Sequence, residues 1–303
     1  MIHYPITQQE LEARIDRESP TWRKRADKRT QRHRKSGRFK GTGIWSEIKR
    51  VYMEVQHYKC AYCERALEMN RSANVEYDVE HFRPKGRVTP WPTPEHRKRR
   101  GIRYTVQHGA TGGYPLLAHS YRNYLASCAV CNSPHKWDAF PIAGTAAPTI
   151  EDIPSLNQKE RPLLAYPLGD WGEDPERFLT FTGCVPIPAK RSGPAHRRGQ
   201  VCIDLFELDT RGRLLTERAQ ALVLLWPHLE KRRAGSKAEQ AKAQDWLDAI
   251  TAARTPHAGC ARAFVRLYQN DRHQAREHYE AACELVKGKE PKLYEKLFKK
   301  AKA

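Results

Sequence analysis

Two short cysteine pairs constrain this chain more than any other feature. They are Cys60-Ala61-Tyr62-Cys63 and Cys128-Ala129-Val130-Cys131. Each C-x2-C turn brings two sulfurs close enough to share one ion, and two such turns make the four-thiolate set of a tetrahedral zinc site. Cys63 and Cys128 lie 65 positions apart, too far for a simple finger. A zinc joining them would clamp whatever lies between. A redox pair or chance spacing is the alternative reading. With four ligands supplied by protein no position stays open, so the expected ion is structural. Cys184, Cys202, Cys260 and Cys283 are scattered and read as ordinary half-buried thiols.

Between the pairs, Val75-Glu76-Tyr77-Asp78-Val79 alternates apolar and polar residues, the mark of a strand. It runs into Glu80-His81, and Pro84 and Gly86 stop it. His81 offers an imidazole that titrates near neutral pH, suited to a general base. Glu80 is a hard oxygen donor of the kind Mg2+ prefers, and Asn132, after the second pair, can add another oxygen. Phosphodiester hydrolysis needs this combination of a base to activate water and a cation to neutralise charge.

The remaining chain divides into regions. Residues 1–43 hold a helix from Thr7 to Glu18, with Thr7 and Glu10 spaced as a capping box, followed by a basic arm at 22–40 in which Asp27 is the lone acid. That arm reads either as solvated or disordered chain or as a track along a phosphate backbone. Residues 44–150 form the core around the cysteine pairs, entered by a helix from Ile44 to Gln56 with an apolar face. Within it, 87–112 reads as an exposed basic insertion that contacts substrate. Pro134 fits the first turn of a further helix, with Ser133 as its cap. Residues 151–215 are rich in proline and glycine and read as irregular structure with short strands such as Phe178 to Thr182. Residues 216–303 read as helices over roughly 216–232, 237–253, 258–269 and 274–287, followed by a solvent-facing Lys/Glu mixture. The expected fold class is α+β, a mostly helical chain around a zinc-stapled core.

The 303 residues carry a formal charge of +19 and a pI near 9.7, an excess that favours polyanions. An anionic membrane is the weaker match. The basic arm offers only Trp22, Ala26 and Phe39 as apolar anchors, and no stretch of about 18 apolar residues occurs. With no signal-peptide core at the N-terminus, the expectation is a cytoplasmic protein whose eight cysteines stay reduced.

Taken together, Cys60-Ala61-Tyr62-Cys63-Glu64, Val79-Glu80-His81-Phe82-Arg83-Pro84-Lys85 and Tyr121 through Asn132, with Lys136 and Phe140-Pro141 following, resemble an HNH endonuclease. The wording is most similar to the PtuB-like HNH nucleases of Septu and retron-associated anti-phage systems. The strong motifs cover 44–141 and weaker ones reach about 220. The resemblance implies a ββα-metal core, with His81 as general base and Asn123 as the middle residue that fixes the ββ loop and orients the histidine. It implies Asn132 and Glu80 as ligands of a catalytic Mg2+ or other divalent cation, and Cys60, Cys63, Cys128 and Cys131 as ligands of structural Zn2+. It further implies cleavage that leaves a 5′-phosphate, and a PtuA-like ATPase partner. Arg83, Lys85 and Lys136 lie near enough in sequence to hold phosphates. DNA is the expected substrate and RNA remains open, as does a non-catalytic zinc scaffold that binds nucleic acid.

Overall fold

The computed structural model describes residues 1–41, 43–67 and 77–288 of the chain. Helix α1 (Gln8–Glu18) opens with the expected capping box, Thr7 and Glu10 bonding reciprocally, and buries Leu11 and Ile15. The basic arm is a helix, α2 (Trp22–Ser36), closed by Gly37 in the left-handed conformation at φ 67°. Its order comes from one face. Trp22, Ala26 and His33 are buried, and the Trp22 indole donates to Ile44 O at 2.8 Å. Arg23 reaches back to Asp16 and Glu12, and Arg25 pairs with Glu47, so part of the positive charge is neutralised within the chain.

The single helix expected over 44–56 is split into a 3-10 turn (Trp45–Ile48) and α3 (Lys49–Val55). Ile44 O accepts both the Trp22 indole N–H and, closing the 3-10 turn, the Glu47 N–H at 3.3 Å. Strand β1 (Tyr77–His81) follows. Val75 and Glu76, the start of the alternating run, lie outside the described residues.

The expected insertion at 87–112 folds back on the protein. It contains α4 (Pro94–Arg100) and β2 (Gln107–His108). Arg99 bonds to Glu207, and Arg100 reaches Asp204 at 2.8 Å and Asp209 at 2.7 Å. Those acids lie far along the sequence, so spacing gave no hint of them.

Strand β3 (Tyr124–Cys128) runs antiparallel to β1, with His81 opposite Tyr124 and Tyr77 opposite Cys128. A π-helical turn, Cys131–Lys136, follows at once. Pro134 sits inside it and Ser133 makes no cap, unlike the expected first-turn geometry. The Trp137 N–H closes the wide turn on Asn132 O at 2.7 Å. Strand β4 (Pro141–Ile142) pairs with β2.

Residues 151–215 are more regular than their composition suggests. They hold α5 (Ile153–Glu160), the hairpin of β5 (Leu179–Thr182) and β6 (Val185–Pro188), and α6 (Gly193–Phe206). Prolines sit in the first turns of both helices, and Gly183 turns the hairpin at φ 56°. Pro154, Gly183 and Pro194, among the residues that suggested irregularity, are therefore element boundaries. Helices α7 (Gly212–Ala234), α8 (Lys237–Thr251), α9 (Ala258–Asn270) and α10 (Arg272–Val286) match the expected C-terminal helices within a few residues. The Lys/Glu mixture beyond residue 288 lies outside the described residues.

The described chain is α+β, with three two-stranded sheets among its helices. One continuous apolar cluster runs from Met1 to Ala282 and takes in residues of all four sequence regions. Among the described residues, no helix is long and apolar enough to cross a membrane.

Candidate metal centre and the adjoining acid–histidine cavity

The cysteine pairs meet. Cys60 and Cys63 stand in the turn after α3, where Glu64 N–H closes on Cys60 O at 3.0 Å. Cys128 ends β3 and Cys131 starts the π-helical turn. All four are buried, and their sulfurs lie within 4.8 Å of one another, Cys63 and Cys128 at 3.9 Å. A tetrahedron with metal–sulfur bonds of about 2.3 Å has edges of about 3.8 Å, so the four thiols fit zinc in number, chemistry and spacing. Arg211 donates to Cys131 Sγ at 3.2 Å, and Ser127 Oγ lies 3.7 Å from Cys60 Sγ. Such neighbours favour thiolate and fix the ligands.

Gln56 ties the first pair to the sheet. Its amide donates to Ala126 O at 2.8 Å and accepts from Ala126 N–H at 2.8 Å, filling the edge of β3 that β1 leaves open. Neither Gln56 nor Arg211 was singled out in the sequence, because their roles exist only across the fold.

The clamp places β1, and β1 ends on His81, which is 6 % exposed. His81 Nε2 lies 3.0 Å from Ala118 O. A carbonyl can only accept, so Nε2 carries the proton and Nδ1 is the free acceptor. Burial holds the histidine's pKa well below its usual value, and the Lys85 charge adds to this, so the ring is neutral. Trp45 meets it edge-on at 4.6 Å and Tyr124 packs at 4.9 Å, which fixes its plane. Tyr124 OH donates to the same Ala118 O at 2.6 Å.

Asn123 organises the loop around this histidine. Its Oδ1 accepts from Arg83 N–H at 2.9 Å, and its Nδ2 donates to Arg83 O at 3.0 Å and Leu117 O at 3.2 Å. One amide thus joins the exit of β1 to the segment that carries Ala118 O.

A cavity of about 280 Å3 opens at the end of β1, lined by Trp45, Asp78, Glu80, His81, Lys85 and Asn132 among others. Glu80 is buried against the Lys136 ammonium, which also donates to His81 O at 2.9 Å. Burial pushes the Glu80 carboxyl up, and Lys136 opposes that rise. Asn132 Nδ2 donates to Asp78 Oδ2 at 3.1 Å. The expected ligand pair, Glu80 and Asn132, therefore shares one cavity, but each holds a different partner. Asp78 was missed. The signal was present, since positions i and i+2 of a strand share a face and Asp78 stands with Glu80.

The three expected phosphate holders divide. Arg83 is 1 % exposed, with Nε 2.8 Å from Glu160 Oε2 and Nη2 2.8 Å from Asn157 Oδ1, packed among the rings of Phe82, Tyr114 and Phe140. Lys136 is likewise buried on Glu80 and His81 O. Neither is presented to a phosphate, because each has been taken by a buried acid. Lys85 alone of the three lines the cavity, its ammonium 4.9 Å from the centre of the Trp45 ring.

An α+β chain with four buried thiols beside a cavity that carries two carboxylates, an amide and a histidine has the features of a metal-binding protein. The Septu protein PtuB of Bacillus mycoides (strain KBAB4) is a relative, 29 % identical over 173 residues that make up 57 % of this chain and 50 % of that protein. The chain thus matches about half the length of this curated relative. No family model matches the chain, and no solved structure matches it significantly.

Proposed function

We propose that this chain is a divalent-metal-dependent endonuclease of the HNH type. The observation that carries the reading is His81, neutral and locked through Nε2 on Ala118 O, at a cavity lined by Asp78, Glu80 and Asn132. In this reading His81 Nδ1, the ring nitrogen not bonded to Ala118 O, takes the proton of a water attacking phosphorus in line, as the 3′ oxygen departs and a 5′-phosphate forms. Glu80 and Asn132 are the expected ligands of Mg2+, and Asp78 adds a third oxygen donor on the same wall. When bound, the cation would supply charge neutralisation at the phosphate. Asn123 keeps the histidine and its anchor in register. Lys85 supplies positive charge at the mouth. The four cysteines would hold a zinc that staples the end of β3, and through its ladder β1, to the turn after α3.

Helix α2 supports a nucleic-acid substrate. Lys24, Lys28, Arg32 and Lys35 are exposed at spacings of four, four and three, one stripe along the helix, and none has an acidic partner among the described residues. Beyond the helix end, the Phe39 ring lies 6.2 Å from that of Trp45, which lines the cavity. The segment that follows α2 thus reaches the candidate site. The likeness to the Septu protein extends the reading to anti-phage defence beside an ATPase partner, with DNA as the favoured substrate.

Plasmid nicking by the purified chain, wild type against His81→Ala, with Mg2+ or with EDTA, tests this directly. Cleavage that needs metal and falls at least about 100-fold in the variant, with binding kept, is expected. A second arm uses a structured RNA. Equal cleavage by both proteins removes His81 as the base. Binding without cleavage, with the ATPase absent or present, leaves a zinc scaffold instead.

A further inference from the structure

Trp137 lies just beyond the π-helical turn and is 57 % exposed. Its backbone stands at φ 46° and ψ −119°, a conformation that L side chains avoid and a bulky ring tolerates poorly. Among the described residues, its indole makes no hydrogen bond and stacks on no ring. Exposure and backbone strain are both unfavourable, and among the described residues no hydrogen bond or ring contact of the indole offsets them.

The ring's position gives it a use. Trp137 walls the cavity that holds His81, Lys85 and Asn132. It also walls a second cavity of about 260 Å3 on the way to α4, lined by Trp91, His96, Arg99 and His135. Trp137 therefore stands between the candidate site and a recess, large enough for a nucleobase, that is lined by Trp91, His96 and His135 and by the Arg99–Glu207 ion pair. A flat, exposed aromatic face beside a phosphate-directed cavity matches base stacking, which needs no sequence-specific hydrogen bond.

We infer that Trp137 is a base-stacking residue: it packs against an unpaired or opened nucleobase next to the phosphate held at His81, with the neighbouring recess receiving that nucleotide. The inference rests on the nuclease reading and narrows its substrate to nucleic acid that exposes a base at the cleavage point, either single strand or locally opened duplex. Trp137 acts by positioning and takes no proton.

The test uses the full chain carrying His81→Ala, so that substrate is bound but not cut. Affinity for a labelled single-stranded 20-mer is measured by anisotropy for this parent and for Trp137→Gly and Trp137→Phe added to it. Glycine suits the positive φ, so Trp137→Gly should melt at or above the parent's temperature, which separates a stacking defect from a folding defect. Binding should weaken about 10-fold with glycine and change less than about threefold with phenylalanine. A 2-aminopurine placed along the oligonucleotide should be quenched by the parent at one position and brighten there in Trp137→Gly. Parental affinity and quenching in the glycine variant overturn the stacking role while leaving the nuclease reading intact. A parent that binds neither DNA nor RNA overturns both.

Discussion

Asn123 and Arg83 show how much one side chain can organise here. Asn123 bonds three backbone groups and sets the distance between His81 and Ala118 O. Arg83, one residue beyond Phe82, is held by Glu160 and Asn157 in the core. Arg83→Met should therefore act on stability. It strands Glu160 without its cation and should cost about 3–5 kcal/mol in urea unfolding. Adding Glu160→Gln should recover much of that loss. A stable Arg83→Met chain that merely binds nucleic acid less tightly would restore the phosphate role. One buried histidine, His119, and one half-buried one, His135, contribute to a pH limit. Burial holds His119 and His135 down to about 4, below their usual range. The unfolded chain therefore takes up protons first as pH falls. The stability from keeping these rings neutral is whole above about pH 6.5 and is lost toward pH 4. Urea midpoints across that window should fall, and replacing both histidines by glutamine should flatten the slope.

At the scale of elements, the cysteine pairs decide where β1 and β3 sit. A metal assay should find one zinc per chain. Cys60→Ser should remove it and lower Tm by about 10 °C or more, because ion binding and local folding are one equilibrium. Unchanged Tm and zinc content would show that the four thiols do not form a metal site. Helices α2 and α4 make a contrast between two basic segments. Arg99 and Arg100 of α4 are neutralised by Glu207, Asp204 and Asp209, whereas Lys24, Lys28, Arg32 and Lys35 of α2 face outward without acidic partners among the described residues. Changing those four to glutamine should lower the magnitude of the slope of log K against log salt by about 3.6 for duplex DNA, near 0.9 for each phosphate that the helix no longer neutralises. Arg99→Gln should leave that slope unchanged. An unaltered slope in the fourfold variant would move the binding surface elsewhere.

For the molecule as a whole, the C-terminal helices belong to the metal centre's support. Lys59 donates to Thr255 O at 3.0 Å, His257 N–H to Glu64 O at 3.2 Å, and Gly259 N–H to Glu64 Oε2 at 3.0 Å. Burial would raise the Glu64 carboxyl, but the N-terminal ammonium and Lys59 outweigh it and hold it at about 2. The turn bearing Cys60 and Cys63 is thus gripped by the segment between α8 and α9. A chain ending at residue 215 should lose far-UV helicity beyond the helices removed and should fail to retain zinc. A folded, zinc-loaded truncation would make the helices a separable module, open to a partner-binding role.

The sequence by itself determined the local structure and the ligand set. The Thr7–Glu10 box, the four C-terminal helices, the two C-x2-C turns and the Glu80-His81 step are all encoded within a few residues of themselves, where spacing and side-chain type suffice. The resemblance to HNH nucleases supplied the roles proposed for Asn123 and Asn132. Only the tertiary structure decided which charges face outward. Arg83, Arg99, Arg100 and Lys136 look like free cations in the sequence, but acids up to about a hundred residues away take them in the fold. It likewise set Asn132 against Asp78, gave His81 its tautomer through Ala118, and left Trp137 bare between two cavities. Those pairings depend on distance in space, and a one-dimensional pattern carries no measure of that.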